Sequence, residues 1–285
     1  MKNSPIGIFD SGYGGLTVMR EIVKLLPDYD YLYLGDNARS PYGPRDFDTI
    51  YHYTLECVQY LFGQGCQLVI LACNTASAEA LRNIQQLALP KIAPERRVLG
   101  VIRPTAEVIG HFTKTKKVGV LGTTGTVRSE SYVIEIGKFF PEVTVFQQAC
   151  PMWVPLVENG ELTGIGTDFF VKKYLDALLA TAPDIDTVLL ACTHYPLLEP
   201  VIKKFLPIYP RGKEIKVISQ GEIVAKSLVD YLRRHPEMAE KCSKHGRRVF
   251  HTTGSPEDFD GHASAFFGES VESKHVNVAA QNAGT

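Results

Sequence analysis

The chain has 285 residues, of which 45% are hydrophobic and 21% charged, with 30 Lys and Arg against 31 Asp and Glu and a net charge of −1. Those proportions are ordinary for a soluble globular protein, and the length allows one large domain or two medium ones; the balanced charge argues against nucleic acid or an anionic membrane as a partner. No run of about 18 apolar residues could span a bilayer. The opening Met1-Lys2-Asn3-Ser4-Pro5 lacks the features of a secretory leader and leaves no room for a regulatory extension, so a cytoplasmic location is expected.

Strand-like and helix-like patches alternate, the pattern of a parallel α/β fold. Pro5-Ile6-Gly7-Ile8-Phe9 reads as a strand that ends at Asp10-Ser11, followed by the turn Gly12-Tyr13-Gly14-Gly15 and an amphipathic helix over 16–26. The glycine spacing matches neither G-x-G-x-x-G nor G-x-x-x-x-G-K-[ST], so it is no nucleotide-binding signal. A second strand over 31–34 stops at Gly35-Asp36. A helix over 46–62 leads to an apolar run ending in Leu71-Ala72-Cys73-Asn74-Thr75, and another helix spans 76–87. The stretch 90–97, rich in Pro and Arg, is the expected crossing into a second lobe.

The pattern then restarts. Lys117-Val118-Gly119-Val120-Leu121 and the turn Gly122-Thr123-Thr124-Gly125-Thr126 repeat the opening about 112 residues on, and Leu190-Ala191-Cys192-Thr193-His194 nearly repeats 71–75. Two similar lobes follow from this: 1–97, 98–208, a return to the first lobe over 209–267, and a polar, mobile tail over 268–285. Within 209–267 a strand is expected over 215–218, a helix over 222–233 and a last strand over 247–251. Each lobe is expected to be an open, mainly parallel sheet flanked by helices, with a cleft between the two.

Six cysteines (57, 66, 73, 150, 192 and 242) lack C-x-x-C spacing, so neither a zinc nor a disulfide framework is indicated. A single free cysteine is ordinarily a small buried hydrophobe, the reading kept for Cys57 and Cys66. Cys73 and Cys192 differ because they sit at matched strand ends, where open parallel sheets bind ligands. With the lobes face to face, both thiols, Asp10-Ser11 and the Thr123 turn would share one cleft. Otherwise each is a strand-end cap in its own lobe.

Both cysteines also precede a helix start: Asn74 and Thr75 suit an N-cap, and Pro196 suits a first helical position. A helix N-terminus or nearby cation lowers a thiol from its ordinary pKa of about 8.5, so both are expected to reach the thiolate at neutral pH. The same free N–H groups could receive a substrate carboxylate. His194 alone could be a structural cap, but beside Cys192 it is a candidate proton partner, and Asp10, Asp36 and Glu158 supply carboxylates. A lone Asp at a strand end is often a turn residue, and for Asp36 both readings stay open.

On Phe9-Asp10-Ser11-Gly12-Tyr13-Gly14-Gly15-Leu16, Gly35-Asp36-Asn37-Ala38-Arg39-Ser40-Pro41-Tyr42-Gly43, Ala72-Cys73-Asn74-Thr75-Ala76, Gly122-Thr123-Thr124-Gly125-Thr126 and Ala191-Cys192-Thr193-His194-Tyr195-Pro196, the chain resembles the glutamate racemases of the cofactor-independent aspartate/glutamate racemase superfamily. One departure is Asn37, where that pattern expects threonine. The resemblance reaches to about residue 260. It implies interconversion of L- and D-glutamate without cofactor or metal, supply of D-glutamate for peptidoglycan, and a homodimer. Cys73 and Cys192 would be the two proton donor/acceptors, with Asp10 assisting Cys73, and His194 and Glu158 on the Cys192 side. Substrate would be held by Asp10, Ser11, Tyr42, Gly43, Asn74, Thr75, Thr193 and His194.

The alternatives are an aspartate racemase or another superfamily enzyme acting on a small dicarboxylate, a two-lobed binding protein with structural thiols, and a Cys/His hydrolase. The last leaves Cys73 unexplained.

Overall fold

The computed structural model describes residues 4–278. Among these, ten strands form two sheets: β1 (Ile6–Asp10), β2 (Tyr31–Gly35), β3 (Leu68–Leu71), β4 (Arg97–Gly100), β5 (Lys117–Gly122), β6 (Thr144–Ala149), β7 (Thr187–Ala191), β8 (Lys216–Ser219), β9 (Arg248–Thr252) and β10 (Ser273–His275). The first sheet runs β10-β9-β2-β1-β3-β4 and the second β6-β5-β7-β8. Every pairing is parallel. The order β2-β1-β3-β4 thus recurs as β6-β5-β7-β8, the structural form of the repeat read from the sequence.

Central strands covered on both faces are continuous apolar runs, and successive side chains enter different cores. Ile6 and Ile8 of β1, Leu68 and Ile70 of β3, and Val188 and Leu190 of β7 belong to one cluster shared by the two lobes. Phe9, Val69 and Leu71 join a second cluster on the other face of the first sheet, and Leu189 and Ala191 a third against the second sheet. Trp153 anchors the shared core, fully buried and edge-on to Tyr195 at 4.8 Å. Helix α1 (Leu16–Leu25) buries Leu16, Val18, Met19, Ile22 and Val23 at helical spacing. Helix α2 (Phe47–Gly63) starts at Asp46, whose carboxylate accepts the Thr49 N–H at 2.9 Å.

Four expectations need correction. Residues 97–100 pair with β3, so the crossing into the second lobe lies after Gly100 and not across 90–97. The strand expected over 215–218 is β8 of the second sheet, so the return to the first lobe begins with the helix Gly221–Arg234, which packs on α1, and not at residue 209. The helix expected over 76–87 is broken. Helix α3 (Asn74–Glu79) is followed by a short turn and a wide π turn over Ile84–Ala88, just ahead of Pro90, which has no N–H to continue a helix. The segment 268–278 is no loose tail, because β10 extends the sheet beside β9, with Val271 and Val278 buried. Residues 279–285 lie outside the described residues.

Candidate active site

The carboxyl ends of β1, β3, β5 and β7 meet around a cavity of about 180 Å³ between the lobes. Ser11, Tyr42, Gly43, Cys73, Asn74 and Thr75 line it from one side, and Thr123, Glu158, Cys192, Thr193 and His194 from the other. Of the residues expected at the site only Asp10 is not in the lining; it is fully buried behind it. Ser40, Pro41, Cys150, Val154 and Pro155 also line the cavity and were not anticipated. For Cys150 a signal existed: it follows β6 as Asp36 follows β2, so the repeat itself points to the strand end.

Cys73 caps α3 with its own sulfur, which accepts the Ala76 N–H at 3.4 Å and lies 3.5 Å from Ser11 Oγ. Asn74 and Thr75, expected as caps, fall inside the helix. Burial pushes the Cys73 thiol up to about 12 and neighbouring Asp10 adds to the rise, while the Ala76 N–H and Ser11 hydroxyl oppose it. The expectation of a Cys73 thiolate at neutral pH is therefore corrected: the six-residue helix offers one N–H, and burial beside Asp10 outweighs it. Asp10 Oδ2 accepts the Gly12 N–H at 3.1 Å, and the backbone N–H groups of Gly15 and Gly12 both favour the charged carboxylate. Burial raises the Asp10 carboxyl above its usual range, with His194 pulling the other way.

The Cys192 side is built differently. His194 Nδ1 lies 3.9 Å from the Cys192 sulfur, and Nε2 lies 3.0 Å from Glu158 Oε1. Burial alone would lower the imidazole, but its bonds to Cys192 and Glu158 outweigh burial and push it up to about 10. The two partners thus favour the protonated ring, which would carry a donor on each nitrogen.

The loops that carry these groups are held tightly. The Thr17 hydroxyl, on α1, contacts both Gly14 O at 2.8 Å and Thr193 O at 3.0 Å, tying the first lobe to the Cys192 loop. Gly14 has no space for a side chain: a Cβ there would stand 2.2 Å from Thr193 Oγ1 and 2.4 Å from His194 Nδ1. Thr75 and Thr123 share a hydroxyl bond of 2.9 Å across the cleft, and the Gly125 N–H donates to Gly43 O at 2.9 Å. Asp36 is a support: fully buried, it accepts from Tyr42 OH at 2.5 Å, Arg39 Nε at 2.7 Å and Thr253 Oγ1 at 2.8 Å. This pins the Tyr42-Gly43 turn. Asn37, the departure from the family pattern, accepts the Thr252 hydroxyl at 3.0 Å.

Two α/β lobes of matching strand order, with Cys73 from one and Cys192 from the other lining a shared cleft, define a class, and the chain belongs to it: it is a member of the Asp/Glu/Hydantoin racemase family, whose model matches residues 6–228. Within that family its near relatives are glutamate racemases. The one from Geobacter metallireducens is 39% identical over 264 residues, covering 92% of both chains. The one from Streptococcus gordonii is 38% identical over 282 residues, 98% of this chain and 100% of that one. Among solved structures, glutamate racemase isoform RacE1 from Bacillus anthracis matches with a TM-score of 0.85 at 35% identity, covering 97% of this chain and 98% of that one. The Francisella tularensis glutamate racemase in complex with D-glutamate matches with a TM-score of 0.85 at 29% identity, covering 98% and 100%.

Proposed function

We propose that the chain interconverts L- and D-glutamate by a two-base reaction in which Cys73 and Cys192 act on opposite faces of the α-carbon. One sulfur, as thiolate, takes the α-proton while the other, as thiol, returns one from the far side, and the centre inverts. The observation that carries this reading is that two cysteines from matched ends of β3 and β7, in separate sheets, open on one small cavity. Asp10 serves the Cys73 side, and Glu158 and His194 the Cys192 side. His194 stands beside one sulfur with its pKa raised, while burial raises the Cys73 thiol on the other side, so the two sulfurs are served by different neighbours.

The carbanion formed between the two transfers needs donors around the substrate carboxylate. Ser11, Asn74, Thr75 and Thr193 supply them, with the Tyr42-Gly43 turn closing the pocket. The same reading makes the chain a cytoplasmic homodimer that supplies D-glutamate for peptidoglycan; among the described residues no helix is long and apolar enough to cross a membrane.

The test is α-hydrogen exchange in deuterated water on both glutamate enantiomers. Cys73→Ser and Cys192→Ser should each lose racemisation by at least roughly 10²-fold, the scale of a positioned acid or base. Full turnover in either variant would sink the two-thiol scheme. Faster turnover of aspartate than of glutamate would move the assignment to the sister activity.

A further inference from the structure

Asn74, next to Cys73, lines the cavity yet is only 2% exposed, and its amide is tied into a closed ring. Asn74 Nδ2 donates to Gln220 Oε1 at 2.8 Å, Gln220 Nε2 donates to Tyr132 OH at 2.5 Å, and Tyr132 OH donates to Asn74 Oδ1 at 2.6 Å. The three residues are buried and come from three places. Asn74 begins α3 in the first lobe, and Tyr132 sits on the helix Ser131–Phe139 of the second. Gln220 stands between β8 and the helix Gly221–Arg234, where the chain crosses back. Neither Tyr132 nor Gln220 lines the cavity.

The direction of the ring follows from its surroundings. The Thr105 hydroxyl donates to Val101 O at 3.0 Å, so towards Gln220, 3.0 Å away, it offers only lone pairs. Val101 O, 3.3 Å from the same Gln220 nitrogen, can only accept. Gln220 must therefore turn its NH₂ to that side and its carbonyl to Asn74. Asn74 must answer with its own NH₂, which leaves Oδ1 for the Tyr132 hydroxyl. Burial holds that phenol protonated, as a donor must be. The reversed amides would set donor against donor and acceptor against acceptor.

We propose that Tyr132 and Gln220 are positioning residues of the racemase site, holding the Asn74 amide in one orientation so that its second Nδ2 hydrogen meets the substrate carboxylate beside Cys73. This rests on the racemase reading for its kinetic consequence, though the ring itself does not.

Tyr132→Phe deletes only the hydroxyl. It should lower kcat/KM by roughly ten- to hundredfold, mainly through KM. The loss must be the same for both enantiomers, because their equilibrium constant is one. In a double-mutant cycle, Tyr132→Phe added to Asn74→Ala should cost nothing further. Losses that multiply, or wild-type kcat/KM in Tyr132→Phe, would overturn the proposal. Gln220→Met, of similar size but with no donor for Tyr132, should reproduce the loss if Tyr132→Phe folds poorly.

A readout independent of turnover is solvent exchange of the Asn74 side-chain NH₂, assigned by its disappearance in Asn74→Ala. It should be slow in the wild type and fast in Tyr132→Phe, and unchanged exchange also overturns the ring. Fast exchange in Tyr132→Phe together with a wild type inactive on glutamate would refute the reaction and leave the positioning intact.

Discussion

The sharpest test of how the Cys192 loop is held is Gly14→Ala. The new methyl would stand 2.2 Å from Thr193 Oγ1 and 2.4 and 2.6 Å from two ring atoms of His194. Since ordinary contact between such atoms begins near ~3.5 Å, the loop must retreat by about 1 Å or more. It cannot do so freely, because one Thr17 hydroxyl contacts both Gly14 O and Thr193 O. Overpacking costs about 1–3 kcal/mol, and a lost buried hydrogen bond adds about 1 kcal/mol. The expected destabilisation is thus ~2–4 kcal/mol, or a fall in Tm of roughly 4–10 °C for a chain of this size. Under the proposed reaction, a shift of about 1 Å at His194 and Cys192 should also lower racemisation about 10²-fold. Thermal melts followed by circular dichroism, with glutamate turnover on the same samples, measure both. Gly137→Ala is the control: that helical glycine has nothing within 4 Å of the added carbon, so the change should stabilise by about 0.5–1 kcal/mol. A Gly14→Ala variant with wild-type Tm and turnover would refute the close-packing argument.

Glu158→Gln removes a carboxylate that helps hold His194 at about 10, above its ordinary 6.5. The folded value exceeds the unfolded one, so this contribution to stability is complete below pH ~6.5 and is lost as pH rises through about 10. Urea midpoints should therefore separate wild type and variant by about 1.5–3 kcal/mol at the acid end, with the gap closing above pH ~10; a gap independent of pH contradicts the pairing. Arg128→Met strips Glu79, whose carboxylate is buried, of its guanidinium partner at 2.7 Å. Burial already raises the Glu79 carboxyl and Arg128 offsets part of that rise, so the variant should lose stability as pH climbs above about 4.5. Because Arg128 is half-exposed, the loss should be modest, about 1–2 kcal/mol near neutral pH; equal stability of the two proteins across that range would contradict it.

The features legible in the sequence were those whose determinants are adjacent in the chain. An apolar run followed by Cys and a cap-forming pair marks a strand end wherever it occurs, and two such runs with matching turns implied the duplicated strand order. What depended on distant segments was not legible. The Cys73 environment is set by Asp10, more than sixty residues earlier, which arrives through the parallel register of Phe9 with Leu71. The four residues of β8 suit an edge position in either sheet, and only the crossover after Ser219 decides. Ser273-Lys274-His275 carries no alternating apolar pattern, so its pairing with β9 rests on backbone bonds that composition does not announce. Asp36 was ambiguous because a strand-end aspartate looks the same whether it faces substrate or, as here, Tyr42 and Arg39.

The repeat invites the idea of two equivalent thiol sites, and the packing explains why their surroundings differ. Positions equivalent by duplication enter different cores: Cys192 joins the cluster shared by both lobes, while Cys73 joins the cluster confined to the first. One sulfur consequently meets Asp10 and the other His194, whose pKa is raised. Each thiol's loop is nevertheless fastened by the opposite lobe, the Cys192 loop by Thr17 and the Cys73 loop by Tyr132 through Asn74. Any widening of the cleft must therefore loosen both at once, and any closing must set both. Under the proposed reaction, which runs from either enantiomer, both sulfurs must be in register whichever one starts as the base, and a single shared interface between the lobes would meet that need while leaving their surroundings free to differ.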